Sequence, residues 1–280
     1  MSDLCMRFPG GLSRALTLSY DDGVDQDERL LGIMARHGLK GTFNLNGSLL
    51  CDQEPAYPAG QIHRRISRAK ALRLFRDSGQ EVALHSATHP HLERLPAGMI
   101  AHEIVTDRLV LEGLFSRIIR GMAYPYGTYN DEVVAVLHAN GVAYSRTVES
   151  SHGFAIPQDW LRLRPTCHHD DPALMALLEQ FLAQNAQEEP RLFYLWGHSY
   201  EFEQNDNWPV IEKFAQAVCR RTDVWHATNI DLYDYVWAFR QLQASCEGRM
   251  LYNPTAAALW LRMGGQEIML SPGETRYHNE

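Results

Sequence analysis

Apolar positions along the chain form two alternating patterns, short apolar runs and longer stretches with helical spacing. Apolar or β-branched runs bounded by glycine or polar residues predict strands. We expect strands near 15–18, 42–45, 81–84, 118–123, 142–145, 161–164, 191–196 and 224–228. Stretches with apolar residues three or four apart, opened by capping residues and mostly stopped by glycine, predict helices. These lie near 25–37 (capped by Asp25 or Asp27 and stopped by Gly38), 68–78 (capped by Ser67), 96–115, 130–141, 170–184, 209–220 and 230–243.

Strand and helix alternate over most of the chain, which favours a parallel sheet with helices outside it. Seven or eight such units suit a closed barrel better than an open sheet, so we predict an α/β fold, a distorted (β/α)7-8 TIM-like barrel. The last segment differs, because two apolar runs flank Gly264 and Gly265 without a helical repeat. We therefore expect the barrel to occupy residues 1–247 and a small β appendage of undefined role to occupy 248–280.

Composition places the chain among packed proteins, with 45% hydrophobic and 21% charged residues in 280. The net charge of −8 and the lack of a basic block argue against nucleic acid or an anionic membrane as partner. No apolar run suggests a membrane span, and residues 1–11 lack the apolar core of a signal peptide. Five scattered cysteines without a C-x-x-C pair favour free thiols, so we expect a cytoplasmic location. The oligomeric state stays open.

Two adjacent carboxylates, Asp21 and Asp22, end the first predicted strand and precede Gly23. Neighbouring carboxylates repel each other unless a cation lies beside them. A divalent metal held by one carboxylate would relieve that repulsion and leave the other free as a base. The alternative is a solvated turn, since Asp and Gly are common turn residues.

His85 and His89 follow the strand predicted at 81–84. On a helical turn, residues four apart share one face, where two imidazoles can bind the same metal. Two histidines and one carboxylate make a three-ligand site with an open position for water. The alternative is that they are polar loop residues in a chain with 13 histidines. Their position favours a site, because barrel active sites lie at the carboxyl ends of the strands. The residues that we expect at those ends are Asp21, Asp22, His85, Tyr126 and His198.

Four motifs together resemble the polysaccharide deacetylase family, also described as the NodB homology domain or carbohydrate esterase family 4. Ser-Tyr-Asp-Asp-Gly at 19–23 resembles the first family motif, and His-Ser-Ala-Thr-His at 85–89 resembles the second. Ala-Tyr-Pro-Tyr-Gly at 123–127 and Leu-Trp-Gly-His at 195–198 resemble the third and the last. The likeness covers about residues 15–242.

The resemblance implies a hydrolase of non-peptide carbon–nitrogen bonds that removes an N-acetyl group from an acetylated sugar. One divalent metal, expected to be Zn²⁺, would be bound by Asp22, His85 and His89. Asp21 would be the base that activates the metal-bound water, and His198 the acid that protonates the departing amine. The metal and the backbone N–H of Tyr126 would stabilise the oxyanion. The same division of roles fits the chemistry of amide hydrolysis, which needs an activated water and a protonated leaving group.

Two departures from the family pattern limit what the resemblance implies. Ala123 stands where the third motif often begins with an arginine that positions the base aspartate, and Arg164 or Arg146 could replace that arginine. The usual Asp-x-x-Asp-Trp motif is not evident, and residues 162–169 occupy that part of the chain. The departures leave the sugar specificity more open than the metal chemistry.

Other residues are candidates for the mouth of the barrel. Tyr124 belongs to the third motif, and Trp208 could stack on a sugar ring or simply pack. His168 and His169 could reach the site or remain polar loop residues. Asp231 could orient His198 or cap the last helix.

We expect a small molecule or oligosaccharide as substrate, with no nucleic-acid partner. One alternative is hydrolysis of a non-sugar amide, formamide or cyclic ureide on the same fold. Another is a non-catalytic binding module, which would be marked by loss of Asp21 or His198, and both are present. The exact substrate and the physiological metal stay open, because this ligand set admits several first-row ions.

Overall fold

The computed structural model of the chain describes residues 4–53, 55–183 and 189–277. The strands are β1 (Cys5–Arg7), β2 (Arg14–Asp21), β3 (Gly41–Leu45), β4 (Glu81–Leu84), β5 (Gly121–Ala123), β6 (Tyr144–Arg146), β7 (Cys167–His168), β8 (Arg191–Gly197), β9 (Val224–His226), β10 (Gln243–Ala244), β11 (Met250–Tyr252), β12 (Leu259–Met263), β13 (Gln266–Leu270) and β14 (Thr275–Tyr277). The helices are α1 (Asp27–His37), α2 (Arg68–Phe75), α3 (Ala97–Phe115), α4 (Asp131–Ala139), α5 (Leu174–Ala183), α6 (Ser199–Gln204), α7 (Pro209–Val218) and α8 (Asn229–Arg240).

A parallel sheet forms the centre of the molecule, with the strand order β6-β5-β4-β3-β2-β8-β7. The central strand β2 is buried along its whole length, and β9 pairs with its first three residues. It pairs with β8 on one side and, over its last four residues, with β3 on the other. The carboxyl ends of β3, β2 and β8 are therefore neighbours at one rim of the sheet.

The sheet curls into a distorted barrel that does not close by a ladder, which confirms the predicted fold class. Within the described residues no ladder joins the outer strands β6 and β7, and Arg146 of β6 instead forms an isolated parallel bridge with Leu163, which precedes β7. The strand predicted at 161–164 is wrong, because residues 160–162 form a short 3₁₀ helix and β7 lies further on. Asp159 causes this turn by accepting a hydrogen bond from the backbone N–H of Leu161 at 3.0 Å.

Alternate residues of β2 face opposite sides of the sheet, as the two-residue period of a strand requires. Leu16, Leu18 and Tyr20 belong to the larger apolar core cluster, which the α1 and α7 side chains join. Ser19 and Asp21 point the other way and both accept hydrogen bonds from the Asn44 amide, at 2.9 and 2.8 Å. A line of polar side chains inside the barrel therefore ends at the rim.

Helix ends follow the predicted capping only in part. Ser67 caps α2 by accepting from Lys70 N, as expected, and Gly38 ends α1 with a left-handed φ of 64°. The expectation that Asp25 or Asp27 caps α1 is wrong, because Gln26 holds the cap position. Asp27 is the first helical residue, and its carboxylate accepts from Val24 N at 3.0 Å. The predicted end of the 170–184 helix at residue 184 lies outside the described residues.

The C-terminal strands form two small antiparallel sheets, β1-β12-β13 and β10-β11-β14. The first of these joins the start of the chain to the tail, with Met6 opposite Leu261. The division at residue 247 stays a prediction, as does the role of the appendage.

All five cysteines lie within the described residues and are free. Within those residues, no helix combines the length and apolarity needed to cross a bilayer.

Candidate active site

A cavity of about 500 Å³ opens at the rim where the parallel strands end. Asp21 is the last residue of β2, and His85 and His198 directly follow β4 and β8. The structure thus brings most of the predicted site residues to one place. Those that line the cavity are Asp21, Asp22, His85, His89, Tyr124, Tyr126 and His198.

The three predicted metal ligands converge within this cavity. Oδ1 of Asp22 lies 3.9 Å from His85 Nε2 and 3.8 Å from His89 Nε2. The two Nε2 atoms are 3.2 Å apart. One ligand atom from each residue thus falls within a common span of 4.8 Å.

Backbone contacts orient the His85 ring. Its Nδ1 lies 2.8 Å from the carbonyl oxygen of Ala123, so the ring donates there and presents the Nε2 lone pair to the cavity. Asp107, reaching in from α3, accepts from the backbone N–H of His85 at 3.0 Å and from Gly47 N–H at 2.6 Å. The carboxylate of Asp107 therefore fixes the backbone that carries a predicted ligand.

His89 reaches the cavity by a turn rather than by the predicted helical turn. Ser86 and His89 both adopt left-handed backbone conformations, with φ of 61° and 59°. The His85 and His89 rings meet edge to face with centroids 4.7 Å apart. The two histidines therefore converge as their spacing predicts, but a turn with left-handed residues brings them together and not a helix.

The paired imidazoles fit a cation between them. Burial lowers the pKa of His85, and burial together with the neighbouring His85 lowers the pKa of His89 to about 4. Both rings are then neutral near pH 7, so two Nε2 atoms face each other beside a carboxylate. Two imidazole nitrogens and one carboxylate oxygen are a ligand set that suits zinc and related first-row ions.

Two residues of the loop between β3 and α2 hold Asp22, and sequence reasoning did not identify them. His63 Nε2 lies 3.1 Å from Asp22 Oδ2, and Arg65 donates to the Asp22 carbonyl at 2.7 Å and to Oδ1 at 3.2 Å. Asp22 has a left-handed φ of 83°, which these contacts stabilise. Burial opposes ionisation, but His63, His85 and Arg65 together hold the pKa of Asp22 well below its usual value.

Arg146 is the basic partner of Asp21. Its Nη2 donates to Asp21 Oδ2, and its guanidinium stacks on the Trp196 ring at 4.3 Å. Burial acts to raise the pKa of Asp21, but the Arg146 charge, aided by His85, lowers it overall. Of the two arginines considered, Arg164 lies elsewhere, half exposed and 3.4 Å from Glu149. The expectation that Arg164 contributes to the site is corrected accordingly.

His198 lies between Asp21, on its Nε2 side, and Glu201 of α6, on its Nδ1 side. Its Nε2 is 3.9 Å from Asp21 Oδ2, and its Nδ1 is 3.2 Å from Glu201 Oε1. Burial acts to lower the pKa of His198, but Glu201 and the Asp21 charge raise it. Asp231 instead accepts from the backbone N–H of Thr228 at 3.1 Å, so it caps α8. Sequence reasoning missed Glu201 because it did not predict α6.

His169 is a packing residue, whereas His168 pairs with Glu201 at 3.1 Å. The His169 ring is fully buried, stacks on Phe202 with centroids 4.0 Å apart, and has its pKa lowered to about 3 by burial. It lies so close to Gly197 that a Cβ there would be 2.0 Å from His169 Nδ1. Glycine is therefore required directly before His198.

The aromatic candidates separate into two groups. Tyr124 is buried and donates to Leu161 O at 2.7 Å, while Tyr126 is 54% exposed and stacks on His91 at 3.9 Å. Trp208 is only 7% exposed and packs under Arg29, 4.2 Å from its ring. It is absent from the residues that line the cavity, so the expected stacking of Trp208 on a ligand there is not supported.

Residues 11–145 match the family model described as polysaccharide deacetylase. The chain is similar to a chitooligosaccharide deacetylase of Bradyrhizobium sp. (strain ANU 289), with 26% identity over 153 residues. That match covers 54% of this chain and 60% of the relative, less than two thirds of its length. These findings confirm the resemblance to the polysaccharide deacetylase family that the four motifs indicated.

Solved structures support the fold. The structure is similar to that of PuuE allantoinase, with a TM-score of 0.61 and 10% identity over 81% of this chain and 91% of the other. It is also similar to a family 4 carbohydrate esterase from Streptomyces lividans in complex with acetate. There the TM-score is 0.50 at 17% identity, over 77% of this chain and 93% of the other. At these identities the likeness concerns the barrel alone.

Proposed function

We propose that the chain is a metal-dependent hydrolase that removes an N-acetyl group from an acetylated sugar or oligosaccharide. The observation that carries this proposal is the convergence of Asp22, His85 and His89 beside Asp21 and His198 in one cavity. The match to the polysaccharide deacetylase family model and the similarity to a chitooligosaccharide deacetylase support it.

Asp22, His85 and His89 would hold one divalent ion, with Zn²⁺ expected. When bound, the ion polarises the amide carbonyl and lowers the pKa of a bound water towards about 7. The chain prepares this site by directing two neutral Nε2 atoms and Oδ1 of Asp22 into the same space.

Asp21 would act as the general base. Arg146 keeps its carboxylate ionised, and the Asn44 amide, bonded to Oδ1 at 2.8 Å, fixes its orientation. An ionised carboxylate at the rim can accept a proton from an attacking water. The backbone N–H of Tyr126, which lines the same cavity, would donate to the oxygen of the tetrahedral state.

His198 would act as the general acid. An amine leaves poorly unless it is protonated, so amide hydrolysis needs a proton donor on the leaving-group side. Glu201 and Asp21 raise the pKa of His198, so the ring retains a proton to a higher pH than a free histidine. Its Nε2 faces the cavity side, 3.9 Å from Asp21, while Nδ1 faces Glu201.

The cavity volume of about 500 Å³ lies within the range of small-ligand sites and admits a sugar unit with its acetamido group. Its walls combine aromatic rings with few apolar side chains, which suits a polar ring substrate. The small or intracellular nature of the substrate and the cytoplasmic location stay predictions.

Acetate release from chitooligosaccharides of one to four units, measured with zinc-supplemented protein, tests the proposal. We expect Asp22→Ala and His89→Ala to lose bound metal and at least about 100-fold in rate, because both chemistry and ion depend on them. His102→Gln, at an exposed position on α3, is the matched control and should keep full activity. Full activity in metal-free Asp22→Ala and His89→Ala proteins would falsify the proposal.

The same assay separates the alternatives. If the protein hydrolyses small amides, formamides or cyclic ureides but no acetylated sugar, its substrate is a non-sugar compound. Saturable binding of a saccharide without release of acetate would indicate a binding module instead.

A further inference from the structure

The side chain of Asp27, at the start of α1, bonds to two parts of the chain at once. Its Oδ1 accepts a hydrogen bond from Ser199 Oγ at 2.6 Å, and its Oδ2 accepts from the backbone N–H of Val24 at 3.0 Å. Asp27 and Ser199 are both completely buried, and neither lines the cavity. One carboxylate thus joins two segments that lie 172 positions apart in the sequence.

Each of these segments carries a part of the proposed catalytic machinery. Val24 lies two residues after Asp22, in the turn that follows β2. Asp27 also donates its own backbone N–H to the Val24 carbonyl at 3.0 Å, so it closes this turn in both directions. Ser199 directly follows His198 and is the first residue of α6. The carboxylate therefore connects the base and metal-ligand side of the cavity to the acid side.

Helix α6 depends on such contacts for its position. It has only six residues, and an isolated helix shorter than about 12 residues is marginal in water. A second contact joins it to the start of α1, where Gln26 Nε2 donates to Glu203 Oε2 at 2.6 Å. The contacts of α6 with α1 therefore help to set where His198 lies, with its Nε2 at 3.9 Å from Asp21 Oδ2.

The buried carboxylate of Asp27 is unfavourable to the fold in its ionised form. Burial raises the pKa of Asp27 to about 7, although the contacts with Ser199 and the Val24 N–H act to lower it. The contribution of this group to the unfolding free energy therefore decreases as pH rises through 7. Groups with pKa values perturbed in this way are common at functional sites. The Ser199 hydroxyl can donate to a carboxylate or accept from a carboxylic acid, so the contact does not require one protonation state.

We propose that Asp27 is a positioning residue that holds the acid His198 in place through Ser199. The role rests on the proposed function, in which His198 protonates the departing amine. A general acid must lie within hydrogen-bond reach of the atom that it protonates. A misplacement of about 1 Å can lower a rate by about 100-fold, so a contact outside the cavity can matter for the reaction inside it.

Three variants, assayed with chitooligosaccharides and with an aryl acetate ester, test this role. Ser199→Ala removes the link to the acid side, so kcat on the amide should fall by at least about tenfold with little change in KM. The ester rate should stay near that of the wild type, because its leaving group needs no proton. Asp27→Ala should lower the amide rate at least as much. Asp27→Asn should keep most of that rate, because its amide can accept from Val24 N–H and donate to Ser199 Oγ.

The matched control is Thr228→Ala. Thr228 is 4% exposed, and its hydroxyl caps α8 by accepting from the backbone N–H of Asp231 at 3.2 Å. This control also loses a buried hydroxyl at a helix start, so its melting temperature should fall while its rates stay unchanged. An undiminished amide rate in Ser199→Ala, or equal losses on amide and ester, would overturn the positioning role. The same result would follow if Thr228→Ala lost as much amide rate as Ser199→Ala.

The NMR signal of the His198 ring at fixed pH separates the positioning role from the proposed function. The signal is identified by its absence in His198→Gln, and it should move in Ser199→Ala and Asp27→Ala but not in Thr228→Ala. A signal that moves in this way, in a wild-type protein that releases no acetate from any saccharide, supports the placement of His198 by Asp27 and overturns the proposed function. An unmoved signal in an active protein overturns the positioning role and leaves the proposed function intact.

Discussion

The Arg146 guanidinium donates a hydrogen bond to the Asp21 carboxylate across the inside of the barrel, although 125 positions separate the two residues. Both side chains are almost completely buried. Arg146 ends β6 at one edge of the sheet, whereas Asp21 ends the central strand β2. The curl of the sheet brings the two ends together, so the open barrel itself supplies the counter-charge of the proposed base.

Arg146→Gln should raise the pKa of Asp21, because burial then acts on that carboxylate without the charge that opposes it. The acidic limb of the pH–rate profile should move to higher pH. Loss of one partner of a buried pair should also lower the free energy of unfolding by about 3–5 kcal/mol. Arg164→Gln, at a half-exposed position, should change stability by less than about 0.5 kcal/mol and leave the profile unmoved. Equal shifts in the two variants would contradict the role given to Arg146.

Glu201→Gln should lower the pKa of His198, because the contact with Glu201 is one cause of its raised value. The alkaline limb of the pH–rate profile should then move to lower pH, and amide hydrolysis should slow by at least about tenfold. An aryl acetate ester, whose leaving group needs no proton, should be hydrolysed at nearly the wild-type rate. The control is Glu203→Gln on the same helix, since Glu203 pairs with Arg64 and does not contact His198. Equal losses on ester and amide would argue against an effect through the acid.

Asp107→Asn should weaken metal binding, although Asp107 is not itself one of the proposed metal ligands. The Asp107 carboxylate accepts from the backbone N–H groups of Gly47 and His85, and an amide has only one oxygen for two donors. We expect a loss of about 1–3 kcal/mol in unfolding free energy and about 10–100-fold in zinc affinity. Asp234→Asn, in an exposed pair with Arg120, should change neither quantity. Unchanged zinc affinity in Asp107→Asn, measured by competition with a chelator, would refute this support role.

Glu81→Gln should reduce the loss of stability as pH rises. Burial raises the pKa of Glu81 to about 7, above the value of about 4.5 in the unfolded chain. The folded state therefore binds this proton more tightly, and its stabilising contribution, present below pH 4.5, is lost as pH rises through 7. Asp27, whose pKa burial raises to about 7, adds to the pH dependence of the unfolding free energy, and the Glu81→Gln variant keeps that contribution.

Urea unfolding at pH 5 and pH 8 measures this effect. The difference in unfolding free energy between the two pH values should be smaller in Glu81→Gln than in the wild type, by an amount on the order of 2 kcal/mol. An unchanged difference would show that Glu81 does not titrate in this range.

The barrel was predictable because its central strands are buried apolar runs, and glycine or polar residues mark where each run begins and ends. The strand at 81–84 has the predicted bounds, and Ser67 caps the predicted helix. The prediction failed where local polar contacts override the apolar pattern. Residues 160–162 form a 3₁₀ helix that Asp159 caps. Helix α6 has only six residues, too few to show a helical repeat of apolar positions in the sequence.

The site was predictable as far as each residue follows a strand directly. Asp22 and His85 have that position, and family motifs pointed to both. His63 and Arg65 could not be found in this way, because a long loop folds back over the rim and its course depends on tertiary contacts. Arg146 was considered beside Arg164, and only the curvature of the sheet decides between them.

The tight contact between Gly197 and His169 has a consequence for how this protein can change over time. A Cβ at position 197 would lie 2.0 Å from Nδ1 of His169, so any side chain at 197 collides with that imidazole. A side chain at 197 can therefore be accepted only after the ring at 169 has been replaced by a smaller residue, so an alignment of relatives should show bulk at 197 only where 169 is small. Directed evolution that randomises position 197 alone should recover only glycine.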